Sequence, residues 1–254
     1  MCLIVFAWKT HPDYPLLLLA NRDEAYARAT LPLFAWDTQP IIYAGQDQNQ
    51  AGTWLGMTAT GRFAAVTNLR RPTDSQDAPL SRGWLVRDFL LSRRQTTEYI
   101  EHVQADAKQY RGFNLVVGNL RSLMYYSNAD SKPRSLPPGI YGLSNASLNT
   151  PWPKVEESKV AFTRLLSKRE PDFEAMFELM HSQRTYPSSL LPNTGVGPEL
   201  EQALSAIFVT TPQYGTRSTS LMTWHRQGQA RLLERTYSSP DQWQDTKVEI
   251  QIKP

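Results

Sequence analysis

Cys2 is the one cysteine among 254 residues, and it stands directly behind Met1. Removal of an initiator methionine at this position would leave Cys2 with a thiol and a free α-amine. An unperturbed α-amine titrates at about 7.7–8.0, so it can accept the proton of its own thiol. A thiol is the strongest ordinary side-chain nucleophile and needs only modest activation. No separate histidine base would be required. The competing expectation is a small buried apolar residue at the head of a strand, a common setting for free cysteine.

Four segments downstream carry residues that could serve such a nucleophile. In ANRDEAYAR (20–28) an apolar run ends abruptly in Asn-Arg-Asp-Glu. If that run pairs with CLIVFAW (2–8), the tetrad arrives near Cys2. Asp23 could then hold an α-ammonium, and Arg22 could favour thiolate or orient a carboxylate. Consecutive strand residues point to opposite faces, so the sequence leaves open which of Arg22 and Asp23 faces the thiol. TNLRR (67–71) puts Asn68 and arginines at the tip of a strand. In GLSNASLNTPWPK (142–154), Asn145 lies just past a strand, where a side-chain amide can donate to an oxyanion. YGTRSTS (214–220) places Arg217 at a strand start after a glycine. Taken singly, each of these is also an ordinary turn amide or surface arginine.

The elements that must position these residues are legible in outline. CLIVFAW and LLLLA (16–20), joined by HPDYP, read as paired strands, and their unbroken apolar character asks for cover on both faces. TWLGMT (53–58) and RFAAVT (62–67) flank a tight turn and read as a hairpin. Helices are expected over 81–92, 96–107, 150–168 and 172–183 from their apolar spacing and start signals. FNLVVGN (113–119) and SLMYYSN (122–128) are a second strand pair. IYGLSN (140–145), SAIFVTT (205–211), RSTSLMTWH (217–225), ARLLERTY (230–237) and KVEIQI (247–252) are strand-like. Blocks of strands and helices favour α+β with antiparallel sheet over alternating βαβ. Sheets buried on both faces fit a four-layer helix–sheet–sheet–helix sandwich, with a two-layer α+β domain as the runner-up. The length suits one domain over 1–254.

Composition excludes several classes. The chain has 27 basic and 24 acidic residues, and its densest basic clusters, LRRP (69–72) and SRRQ (92–95), hold two arginines each. A nucleic-acid partner would need a continuous basic face. One cysteine forms no internal disulfide, and no apolar run approaches the ~20 residues of a membrane helix. With no signal-peptide pattern, a cytoplasmic protein is expected. LPNTG (191–195) matches a cell-wall sorting signal in letters only, since a polar helix-like segment follows it. A loop is expected there. No nucleotide-binding glycine motif and no zinc-site spacing occur, so neither a nucleotide cofactor nor a structural metal is expected.

Taken together, MCLIVFAWKTHPDYPLLLLANRDE, GTWLGMTATGRFAAVTNLR, YGLSNASLNTPWPKV, LPNTG with ALSAIFV, and YGTRSTSLMTW resemble the NRDE family, also called the transport-and-Golgi-organisation family. The resemblance runs in order along nearly the whole chain. That family in turn resembles the N-terminal-nucleophile hydrolases, in particular the cysteine branch of choloylglycine hydrolases and penicillin V acylases. The resemblance implies an αββα sandwich, with Cys2 as nucleophile and its own amine as base. Arg22 and Asp23 would match the branch's early Arg and Asp, Asn145 its oxyanion-hole Asn, and Arg217 its late Arg, with Asn68 a second site amide. In the hydrolase branch the early Arg and Asp are separated, whereas here they are adjacent. The implied activity is hydrolysis of a linear amide or thioester (acyl) substrate, with no cofactor required. The family also implies an alternative: intracellular haem binding or trafficking, or a role in lipid and acyl-CoA homeostasis, with a small amphipathic or acyl molecule, haem among them, as ligand. His11, His225, Cys2 and Met57 are the available haem ligands.

Overall fold

Both early apolar runs form strands, and the fate of their side chains shows why. β1 (Cys2–Trp8) and β2 (Leu16–Ala25) pair antiparallel, with Trp8 opposite Leu16. Alternate residues enter different cores: Ile4, Phe6, Trp8, Leu16 and Leu18 one, and Leu3, Val5, Ala7, Leu17 and Leu19 another. A strand covered on both faces requires an unbroken apolar run of this kind. The computed structural model describes residues 2–70, 78–130 and 132–252. Met1 and Arg71, both named above, lie outside the described residues.

The elements that follow are β3 (Thr30–Ala35), β4 (Ile42–Asp47), β5 (Leu55–Thr58), β6 (Arg62–Asn68), α1 (Arg82–Leu91) and α2 (Thr96–Asp106). Next come β7 (Phe113–Asn119), β8 (Leu123–Ser127), the two-residue β9 (Arg134–Ser135) and β10 (Gly139–Leu143). α3 (Pro153–Leu165), α4 (Phe173–Met180), α5 (Pro198–Ala203), β11 (Tyr214–Trp224), β12 (Gln229–Ser239) and β13 (Gln242–Gln251) complete the chain. Pro153 occupies the first turn of α3, where its missing N–H costs nothing. Asp172 caps α4 by accepting from the Ala175 N–H at 3.2 Å.

Two antiparallel sheets result. One has the order β10-β1-β2-β11-β12-β13, the other β3-β4-β5-β6-β7-β8-β9. Between them lies one core, where Phe6, Trp8, Met222 and Trp224 from the first sheet meet Met57, Phe63, Val116 and Tyr125 from the second. α1 and α2 cover the outer face of the second sheet with Leu85, Val86, Phe89, Tyr99 and Ile100. α3 and α4 cover the outer face of the first with Val155, Phe162, Met176, Phe177 and Met180. This is the four-layer αββα sandwich expected from the sequence. No helix among the described residues is long and apolar enough to cross a membrane.

Two local expectations need correction. Residues 205–211 were read as a strand but form bends, joined to β11 only by a bridge between Thr210 and Gly215. Their apolar residues are buried as expected, but their backbone bonds to scattered partners, side chains among them, instead of to one neighbouring strand. The Asn21 amide donates to the Ile207 carbonyl at 2.9 Å, and the Val209 N–H donates to Thr216 Oγ1 at 2.9 Å. Burial and apolarity alone do not separate such a segment from a strand. β3 and β4 went unread, because their mixed exposure leaves no clean period.

Candidate active site

Cys2 opens β1 directly opposite Arg22 of β2. Directly opposed residues of an antiparallel pair project to the same face. Arg22 therefore shares the thiol's face and reaches toward the second sheet. There its guanidinium lies 4.2 Å over the Trp54 ring, and Nη2 is 3.5 Å from Asp47 Oδ2 at the end of β4. Asp47 also holds Arg28, whose Nη2 donates to Oδ1 at 3.2 Å. Arg22 Nη1 is buried and has no hydrogen-bond partner among the described residues. Burial pushes the Arg22 pKa down from its ordinary value.

Asp23 takes the other face. It sits opposite Thr216 of β11, whose hydroxyl donates to Asp23 Oδ1 at 2.7 Å, and the Tyr214 hydroxyl donates to the Asp23 carbonyl at 2.6 Å. Its backbone N–H favours the thiolate form of Cys2. The adjacency of Arg22 and Asp23 is thus accommodated by a division of labour. Arg22 sends its side chain along the thiol's face, and Asp23 turns its carboxylate to Thr216 while its backbone N–H favours the thiolate. Burial pushes the Asp23 carboxyl up, and Lys154 is the charge that acts most strongly against that rise. Burial likewise pushes the Cys2 thiol up, with Arg22 among the charges opposing it.

Cys2, Arg22, Asp23 and Asn68 line one cavity of about 340 Å³, together with Asp47, Trp54 and Arg82. Asn68 closes β6, and its carbonyl accepts from the Asn145 side-chain amide at 2.8 Å. Asn145 is fully buried behind Asn68 and does not line the cavity. Its own carbonyl receives the Arg70 N–H at 2.8 Å. Next to it, Ser144 Oγ donates to the Cys2 carbonyl at 3.1 Å, and the Ser144 carbonyl takes the Thr67 hydroxyl at 2.7 Å. This loop therefore pins the first residue of β1 to the end of β6. Arg217 sits in a β-bulge between Thr216 and Ser218, and Nη1 donates to the carbonyls of Ala25, Tyr26 and Arg28 at 3.0, 3.0 and 3.2 Å. It is not a lining residue of the cavity. Of the six predicted residues, four share the cavity and two brace it.

Of the four haem-ligand candidates, Cys2 lines the cavity and the other three lie elsewhere. His11 and His225 flank the Tyr14 ring at 5.3 and 5.0 Å between centroids, and Met57 is fully buried in the inter-sheet core. Among the described residues, no group of three or more His, Cys, Asp and Glu could hold a metal ion.

Sequence reasoning missed Asp47, Trp54, Ser144 and Lys154. Asp47 and Trp54 come from the opposite sheet, which no local pattern announces. Lys154 stands in the first turn of α3 and reads as an exposed helix residue, yet it is 2% exposed, with Nζ donating to the Leu204 carbonyl at 2.8 Å. Burial pulls its pKa down to about 8, against the pull of Asp23. Unfolded, a lysine titrates at about 10.4. Between these two values the folded chain binds fewer protons than the unfolded one, so stability rises with pH. The difference in unfolding free energy between wild type and Lys154→Met is expected to grow in favour of wild type by up to roughly 3 kcal/mol from pH 8 to pH 10.5. Urea titrations at several pH values would read it, and a flat difference would contradict the burial of a charged Lys154.

Comparison with known proteins adds a family and a fold. Residues 1–239 match the family model described as Transport and Golgi organisation 2. The Transport and Golgi organization protein 2 homolog of Bos taurus is 32% identical over 276 residues, with all of both chains covered. Its Homo sapiens counterpart is 30% identical over 277 residues, again covering both chains fully. Among solved structures, a mutant of the conjugated bile acid hydrolase from Clostridium perfringens superposes with a TM-score of 0.56 at 9% identity, covering 97% of this chain and 92% of that one. At that identity the likeness is one of fold.

Proposed function

The chain belongs to the Transport and Golgi organisation 2 family, and on that premise we propose that it is a cysteine hydrolase of linear amides or thioesters, with Cys2 as nucleophile once Met1 is removed. The observation that carries this reading is the convergence of Cys2, Arg22, Asp23 and Asn68 on one cavity. The hydrolase-like fold agrees with it.

On this reading the Cys2 α-amine takes the thiol proton as the sulfur attacks the acyl carbonyl carbon. The carbonyl π pair moves to oxygen, and the Asn68 side-chain amide donates to that oxyanion. Asp23, buried beside the start of β1, balances the α-ammonium. Collapse of the intermediate re-forms the carbonyl and expels the amine or thiol, which leaves with the ammonium proton. Water, deprotonated by the same amine, then attacks the Cys2 thioester and releases the acid and the free thiol. Because burial holds the resting thiol neutral, the thiolate forms only as the amine accepts its proton. The reaction so written draws on no cofactor.

The test is the intact mass of the purified protein, before and after incubation with a short-chain acyl thioester. Loss of Met1 and a single acyl adduct on Cys2 are expected. Retention of Met1 overturns the reading, because Cys2 would then have an amide nitrogen and no base.

A further inference from the structure

A second cleft, of about 560 Å³, lies at the other end of the second sheet. β6 links the two sites: Asn68 at its end lines the Cys2 cavity, and Arg62 at its start lines this cleft. Six residues of strand separate them, roughly 20 Å. Four connections converge here: the β3–β4 turn (Gln39, Pro40), the β5–β6 turn (Thr60, Gly61), the α1–α2 link (Ser92, Arg93, Gln95) and the β7–β8 turn (Asn119, Leu120, Arg121).

Among the described residues, the lining holds three arginines, Arg62, Arg93 and Arg121, and no carboxylate. Among the described residues, none of the three takes part in an ion pair. Arg62 is fixed as a floor. Its guanidinium carbon lies 4.0 Å from the Phe89 ring centroid, Nε donates to the Phe89 carbonyl at 3.2 Å, and Nη1 donates to the Arg94 carbonyl at 3.0 Å. Its Nη2 is buried with no partner among the described residues. Arg93 and Arg121 are exposed on the rim. Lys9 adds a fourth cation beside it, donating to the Arg121 carbonyl at 3.0 Å. Two acids lie close in sequence to these links: Asp37, between β3 and β4, does not line the cleft, and Glu98, in the first turn of α2, accepts from the Gln95 N–H at 3.1 Å. Like charges gathered in a concavity repel one another, and an anion seated among them removes that repulsion.

We propose that this cleft binds the phosphate group of a phosphate-bearing ligand. A phosphate monoester carries about two negative charges and three peripheral oxygens, enough to engage guanidiniums from three directions. A carboxylate offers two oxygens and one charge. Ser92, Thr60, Gln95 and Asn119 supply further polar partners. The volume falls in the range of small-molecule sites and exceeds what a bare phosphate fills, so the group arrives attached to something larger. The basic pair in SRRQ, which reads in sequence as solvated surface, thus gains a role for Arg93.

Two sources share this chemistry, soluble phosphate compounds and anionic lipid headgroups. Calorimetric titration with inorganic pyrophosphate tests the first. Co-sedimentation with phosphatidylcholine vesicles, with and without phosphatidic acid, tests the second. Arg93→Glu/Arg121→Glu is expected to weaken binding at least tenfold in whichever arm the wild type binds. Lys108→Glu/Arg164→Glu, with the same charge change on exposed positions elsewhere, should bind as wild type. Equal losses in the two variants, or no saturable binding in either arm, overturn the proposal. Should the double glutamate variant fail to fold, phenylglyoxal modification of the wild type decides: pyrophosphate or the vesicles must protect Arg62, Arg93 and Arg121 selectively. Neither arm depends on Cys2 chemistry, so failure here leaves the hydrolase reading standing, and the reverse holds.

Discussion

Cys2→Ala is expected to lower turnover of short-chain thioesters and anilides at least ~10³-fold, because loss of a covalent nucleophile leaves only binding and oxyanion contacts. The same change should cost little stability. Cys2 is the first residue of β1, 9% exposed, and its replacement removes one sulfur and leaves the strand backbone intact. The pins around it act on the backbone: Ser144 donates to the Cys2 carbonyl, and β2 supplies the ladder. A melting temperature within a few degrees of wild type, together with lost turnover, is the expected pair of results. Unchanged turnover would sink the nucleophile assignment. A large fall in melting temperature would instead favour a buried core residue, the other expectation that the sequence allows.

The second large effect is on stability. Arg70 and Glu201 form an ion pair, Nη1 to Oε2 at 2.7 Å, with both side chains nearly buried. Glu201 also accepts from the Thr194 N–H at 2.7 Å and from the Thr194 hydroxyl. One carboxylate of the short helix α5 therefore anchors the PNTG loop and faces an arginine that stands two residues past Asn68. Removing one member of a buried pair costs about 3–5 kcal/mol, since the remaining charge keeps its desolvation penalty. Glu201→Ala is expected to destabilise by about that much, roughly 6–20 °C in melting temperature for a chain of this size. The exposed pair Arg134–Asp130 is the control. Asp130→Ala should cost no more than about 1 kcal/mol. Equal effects at the two sites would show that burial is not what gives the Arg70 pair its weight.

Much of the sandwich was legible because the strands that build its inner layers carry the plainest signals. CLIVFAW and LLLLA are apolar on both faces, and both faces are covered. The helices at 81–92, 96–107, 150–168 and 172–183 appear within a few residues of their expected bounds, the largest differences being at the ends of the last two. β3 and β4 were missed because strands of mixed exposure near a sheet edge lose their period. The site divides the same way. Cys2, Arg22 and Asp23 stand on two consecutive strands, so a hairpin argument brings them together. Asn145 and Arg217 lie beside the cavity without lining it, because their direction is set by the Asn68 carbonyl and by the β2–β3 turn carbonyls. Asp47, Trp54 and Lys154 belong to other layers and enter only through packing.

The salt link from Arg22 to Asp47 has a kinetic meaning as well as a structural one. It fastens one sheet to the other beside the sulfur, so the thiol lies at a seam. A seam must part before anything bulky reaches what is inside it. The frequency of that parting then sets a ceiling on encounter, independent of what arrives. Two alkylating reagents of unequal size and unequal intrinsic reactivity would converge on one saturating rate at high concentration. That plateau would be a property of the protein's own breathing, and loosening the Asp47 fastening would raise it.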